Sequence, residues 1–327
     1  MKLATYKDGS RDGQLVVVSR DLSTAHYASG VATRLQQVID DWNFLSPQLQ
    51  ELSQTVNHGK ARHAFAFEPA RCMAPLPRAF QWAEACAETH HVGLLHNARG
   101  SAVRANVTTG TPMAQRASDD LLGPCADIVC VDEEHGIDFG AGLAVITGDV
   151  TIGTGADDAL EGIRLLMLAN AVSLRQLIGA EPASGCGSVQ GRCATAFGPV
   201  AVTPDELGDA WQGGRVHLNL ECAWNGRRVG LVDAGADTSF HFGRLIAHVA
   251  RTRNVRAGSV VGSGTVSAAD ASRGCACIEE KRAIETLATG APKTGYLRVG
   301  DTVRIEMKGG DGMSVFGTIE QRVAAFV

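Results

Sequence analysis

Apolar and polar residues alternate along Lys2–Tyr6 and residues 14–19. The turn Lys7-Asp8-Gly9-Ser10 joins the two runs, which predicts two short strands at the start of the chain. The period then changes. Val31, Leu35, Val38 and Ile39 recur at helical spacing within residues 31–42, and residues 47–56 continue similarly. Ser46 is a good N-cap for the second helix, with Pro47 in its first turn. The string Met73-Ala74-Pro75-Leu76-Pro77 reads as a linker. Residues 1–75 are therefore expected to form a small N-terminal α+β domain, and residues 76–327 the main domain.

Beyond residue 78 the chain is glycine-rich and β-branched. Residues 127–131, 137–147, 200–203, 216–224, 227–232 and 302–307 read as strands. Helices are expected near 82–95 and over 156–169, 242–252 and 279–289. Many strands with a few helices predict a β-rich α+β fold built on a β-sandwich or roll. No internal repeat or low-complexity tract interrupts it. Gly262-Ser263-Gly264-Thr265 lacks the lysine of a phosphate-cradling loop, and no Gly-x-Ser-x-Gly elbow supports a serine hydrolase.

Composition narrows the function classes. A chain of 327 residues with 45% apolar and 20% charged residues can bury a sizeable core. The net charge is −5 and no lysine/arginine run occurs, which argues against a nucleic-acid partner. No run of about 18 apolar residues predicts a membrane span, and the N-terminus does not read as a signal peptide, so the expected location is the cytoplasm. The nine cysteines are scattered without a CxxC pair and read mostly as small buried hydrophobes. The one tight pair is Cys275-Ala276-Cys277.

Several strings, in order, resemble the bacterial branch of the fumarylacetoacetate hydrolase family. They run from Gly136-Ile137-Asp138-Phe139 through Ala144-Val145-Ile146-Thr147-Gly148-Asp149-Val150, and from Ala194-Thr195-Ala196-Phe197 through Thr203-Pro204-Asp205-Glu206-Leu207-Gly208. Phe240-His241-Phe242-Gly243, Gly262-Ser263-Gly264-Thr265-Val266-Ser267 and Glu280-Lys281-Arg282-Ala283-Ile284-Glu285 follow. The resemblance covers roughly residues 75–325 and extends to the N-terminal unit. It implies a mixed β-sandwich roll with a small N-terminal domain, and a homodimer. It also implies cleavage of carbon–carbon bonds in 1,3-dicarbonyl acids, or decarboxylation, tautomerisation or hydration of related keto acids.

The family holds a magnesium, calcium or manganese ion with two glutamates at i and i+2 of a strand and an aspartate about 30 residues later; such hard cations require oxygen ligands. Gly140, Gly142 and Ala171 stand at those three positions. The resemblance therefore implies that the usual metal site is absent, and no cofactor is expected. The two glycines and Ala171 are expected to enlarge the substrate cavity. Further departures are Gly93 for a glutamate after His91-Val92, Ala114 for a tyrosine before Gln115, and Arg192 for a lysine.

The expected catalytic residues are His91, assisted by Glu88, and Arg192. His91 would move a proton at an activated carbon or water, with Glu88 three residues away on one helical face. Arg192, with Gln115 and Gln190, would stabilise an enolate or carboxylate, since arginine holds such oxygens but does not donate a proton near neutral pH. Substrate contacts are expected from Gln115, Gln190, Gly140, Gly142, Ala171 and Thr265, the last in a glycine-rich turn whose N–H groups suit a carboxylate. This reading gives a repurposed, metal-independent enzyme. Its small-molecule substrate would be 1,3-dicarbonyl, phenolic or polyketide-like. The reaction would be isomerisation, cyclisation, carbon–carbon cleavage or decarboxylation, with specialised-metabolite biosynthesis as a setting. The alternatives are a non-catalytic binding protein and a conventional metal-dependent acylpyruvate hydrolase.

Overall fold

The computed structural model describes residues 1–86, 88–100, 111–180 and 188–326. Its main sheet follows from apolar runs too continuous for a half-solvated strand. In Ala141–Thr147 every residue is buried, and in Ile163–Asn170 all but Arg164 are. Alternate residues enter two different cores. Leu143, Val145, Leu166 and Leu168 pack on one side; Ala144, Ile146, Leu165 and Met167 pack on the other. A sheet covered on both faces demands apolar residues at every position.

The order of strands in this sheet is Phe65–Ala66, Thr24–Tyr27, Gln14–Val18, Lys2–Tyr6, Ala201–Val202, Ile163–Asn170, Ala141–Thr147, Val260–Thr265, Trp82–Ala85 and Met113–Gln115. The first strand of the chain pairs with Ala201–Val202 (Lys2 opposite Val202), so the N-terminal segment and the rest share one sheet. Helices Leu35–Asp40 and Trp42–Asn57 cover one face through Leu35, Val38, Ile39, Leu49 and Val56. A five-stranded sheet of Arg227–Asp233, Asn219–Trp224, Thr302–Met307, Ile319–Ala325 and Ile128–Cys130 covers the other through Leu220, Ile305, Met307 and Ile319. The architecture is α+β and sheet-rich. No helix among the described residues is long and apolar enough to cross a membrane.

Three expected elements differ. The helix expected near 82–95 begins as the strand Trp82–Ala85, parallel to Val260–Thr265, and only Thr89–Ala98 is helical. Residues 156–169 form a 3-10 turn, Asp158–Gly162, followed by a strand. The parts that become strands, Trp82–Ala85 and residues 163–169, are short apolar runs with one charged residue each, and such runs have no period to separate a buried strand from a buried helix. The second N-terminal helix starts at Trp42, after Asp41, with Pro47 inside it, so Ser46 is not its cap. Of the nine cysteines, Cys186 lies outside the described residues; the other eight are free thiols.

Candidate active site

The site is assembled where two helices meet the edge of the main sheet. Asp138 is completely buried and accepts hydrogen bonds from the backbone N–H of Ile278 (2.6 Å) and Glu279 (3.1 Å) and from Arg175 Nε (2.8 Å). A carboxylate at a helix N-terminus satisfies orphaned N–H groups and meets the positive end of the helix dipole. Helix Ile278–Thr289 is thereby pinned at its first turn. Burial nonetheless pushes the Asp138 carboxyl above the usual range, with Arg175 opposing the shift. Cys277 caps the same turn, its Sγ accepting from Glu280 N at 3.4 Å.

That first turn presents Glu280. Its Oε2 lies 2.9 Å from His91 Nδ1 and its Oε1 accepts from Ser267 Oγ at 2.8 Å. His91 and Glu280 are 3% and 1% exposed, so this is a desolvated pair whose interaction is stronger than in water. His91 sits in the first turn of Thr89–Ala98, a helix anchored by a 2.7 Å hydrogen bond between the Thr89 and Ser239 hydroxyls. With Nδ1 engaged by Glu280, Nε2 is the ring nitrogen left to a ligand.

His91 borders a cleft of about 330 Å³ whose wall includes Glu84, Ala171, Arg175, Arg192 and Thr265. The structure thus brings His91, Arg192, Ala171 and Thr265 together. Glu88 is the residue just before the helix, with extended backbone, and does not line the cleft. The acidic partner of His91 is Glu280 rather than Glu88, because the helix starts after Glu88 and directs that carboxyl to Thr238. Its Oε1 accepts from Thr238 Oγ1 at 2.7 Å, while Oε2 is buried with no hydrogen-bond partner. Burial pushes the Glu88 carboxyl up to about 7, and the charges of Asp237 and Glu280 add to the shift.

The two glycines do not enlarge the cavity. A Cβ on Gly142 would lie 2.1 Å from the Gly264 carbonyl oxygen, and one on Gly140 would lie 2.8 Å from that of Ala171. Their missing side chains are replaced by neighbouring backbone, a close approach that only glycine permits. Gln115 and Gln190 also fall outside the cleft. Gln115 is exposed in a surface hollow with His248 and Arg251, while its strand neighbours Met113 and Ala114 border the cleft. Gln190, beyond a turn from Arg192, lines a separate apolar hollow with Val129 and Val131.

Sequence reasoning missed Glu280, Glu84 and Arg116. Glu280 lay within one of the strings that carried the family resemblance, which was its only signal. Arg116 has its side chain wholly enclosed, and nothing in its neighbourhood marks it as buried.

Two family models match, "Fumarylacetoacetase N-terminal domain 2" over residues 1–78 and "Fumarylacetoacetate (FAA) hydrolase C-terminal" over residues 81–324. Among solved structures the chain is similar to a protein assigned as HpcE from Mycobacterium smegmatis (19% identity, TM-score 0.71, both chains covered to 100%). It is also similar to a probable 2-hydroxyhepta-2,4-diene-1,7-dioate isomerase from Mycobacterium abscessus (17%, 0.69, 100% of both). A third is maleylpyruvate hydrolase from Sphingobium sp. SYK-6 in complex with manganese(II) and pyruvate (14%, 0.66, 100% of both). No curated protein sequence matches the chain.

These findings correct the expectation that the site holds no metal. A structure of the same fold contains manganese. In this chain His91, Cys277 and Glu280 bring buried ligand atoms within 4.8 Å of one another. Gly140, Gly142 and Ala171 themselves offer no side-chain oxygen. The mixed N, S and O set instead suits a borderline ion such as zinc, which would supply Lewis-acid charge. Inspection of the three carboxylate positions could not find it, since its ligands come from two helix starts distant in the chain. The model over residues 81–324 spans most of the sequence, and the fold agrees throughout: the chain belongs to the fumarylacetoacetate hydrolase family.

Proposed function

We propose that the protein is an enzyme that moves a proton on a small keto–enol acid, an isomerase or tautomerase of 1,3-dicarbonyl or related compounds. The observation that carries this reading is the buried His91–Glu280 pair at the border of the cleft. With no ion bound between them, His91 donates Nδ1–H to Glu280, and the imidazole keeps its Nε2 lone pair and acts as base. A C–H flanked by two carbonyls gives its proton to Nε2 and becomes an enolate. Glu280 stabilises the imidazolium so formed, as a carboxylate does behind other catalytic histidines. Arg192 and the Thr265 hydroxyl meet the enolate oxygens. The proton then returns at a different atom, so the step is redox-neutral and yields an isomer.

The printed activities of two similar structures, a dienedioate isomerase and maleylpyruvate hydrolase, concern acids of this kind and support the substrate class. The homodimer implied by the family resemblance is part of the proposal and is checked by light scattering. Loss of enol absorbance in a panel of acylpyruvates and 2-hydroxydienoates tests the reaction. His91→Ala is expected to cut kcat by about 10²–10⁴-fold, the ordinary worth of a general base. Full turnover by His91→Ala would overturn the assignment.

A further inference from the structure

Behind the cleft wall lies a second ionic cluster. Glu84 Oε2 is 3.3 Å from Arg116 Nη1, an ionic contact without hydrogen-bond geometry, and accepts a hydrogen bond from Arg192 Nη1 at 3.4 Å. The two cations differ in setting. The Arg116 side chain is 0% exposed, whereas that of Arg192 is 26% exposed and borders the cleft. Arg116 is fixed on its other sides as well. Its Nη2 donates to the Val172 carbonyl, and its Nε donates to Thr195 Oγ1 at 3.3 Å. That hydroxyl also accepts from Trp82 Nε1 at 2.9 Å.

Two guanidinium groups and one carboxylate leave a single positive charge, and burial decides where it resides. A lone enclosed guanidinium costs several kcal/mol, so Arg116 cannot release its counter-ion. Glu84 is thereby committed from behind. The surplus charge rests on Arg192, which donates to Glu84 through Nη1 alone and has no other hydrogen-bond partner among the described residues. A guanidinium with donors to spare matches the two oxygens of a carboxylate or enolate. Were Arg116 absent, Glu84 and Arg192 would form a neutral pair, and Glu84, itself on the cleft wall, would repel an entering anion.

We propose that Arg116 is a positioning residue for anion recognition: it neutralises Glu84 from the protein interior so that Arg192 can hold a ligand carboxylate or enolate beside Ala171 and Thr265. This deepens the proposed function, since it rests on the cleft receiving an anionic keto acid. It does not rest on His91 acting as base.

The test is calorimetric binding of oxalate and of its uncharged isostere oxamide to the full chain at low salt. The unaltered protein is expected to prefer oxalate by about tenfold, equivalent to ~1.4 kcal/mol. Arg116→Met should abolish that preference, and Arg116→Met combined with Glu84→Gln should restore it. A merely structural role for Arg116 would weaken both ligands alike. Undiminished preference in a folded Arg116→Met protein, or no preference in the unaltered protein, overturns the proposal. Should Arg116→Met fail to fold, Glu84→Gln alone decides. Oxalate binding as tight as or tighter than that of the unaltered protein supports the idea, and weaker binding refutes it. His91→Ala should keep its oxalate preference, which separates this test from that of the proton-transfer reading.

Discussion

Placing any side chain at residue 142 should destabilise the protein, whatever its chemistry. Gly142 lies on Ala141–Thr147 opposite Thr265 and beside the irregular step between Gly262 and Gly264. Its absent Cβ would stand 2.1 Å from the Gly264 oxygen. Relief requires the two backbones to part by on the order of 1 Å, in a core that does not yield freely. Overpacking of this kind costs about 1–3 kcal/mol. Stretching a ladder hydrogen bond adds about 1 kcal/mol, and the stiffer unfolded chain of an alanine variant offsets up to about 1 kcal/mol. A net loss of about 2–3 kcal/mol is expected for Gly142→Ala. In a chain this large that lowers Tm by roughly 3–5 °C. Circular dichroism melts of Gly142→Ala and Gly142→Glu measure it. Both should fall by similar amounts, because the offending atom is common to them. A Gly142→Ala protein melting within about 1 °C of the unaltered one would show that the strands have room and that the argument from close approach is wrong.

Asp138→Asn should lose about 3 kcal/mol in denaturant titration, because it leaves the partly buried Arg175 cation without its counter-ion at the start of the Glu280 helix. Glu88 gives a pH signature. Its folded value of about 7 stands above its ordinary 4.5, so the folded state binds the extra proton between those values. Stability should therefore fall as pH rises from 4.5 to 7 and level off above, by at most about 3 kcal/mol, and Glu88→Gln should flatten that slope in melts across the range. Cobalt(II), a spectroscopic substitute for zinc, should give a thiolate-to-metal absorption band that disappears in Cys277→Ser; its absence from the unaltered protein would deny Cys277 a ligand role.

Local pattern alone carried a good part of this molecule. The apolar runs required a sheet-rich α+β core, and the ordered strings from Gly136 to Glu285 marked the family that the models then matched. The lack of side-chain oxygens at residues 140, 142 and 171 was legible too, because identity at a position needs no folding to be read. What the pattern could not supply was pairing. Glu88 is three residues from His91, yet the hydrogen bond goes to Glu280, which a helix from the far end of the chain delivers. Residues 163–170 became a strand because partner strands lay ready on both sides, and Gly142 marked touching backbones rather than open space. Burial of Arg116, and with it the charge left on Arg192, depended on walls built by Trp82, Val172 and Thr195. Hydrogen bonds and desolvation act over a few ångströms in space. Which groups come that close is decided by long-range strand and helix contacts that no local window of sequence contains.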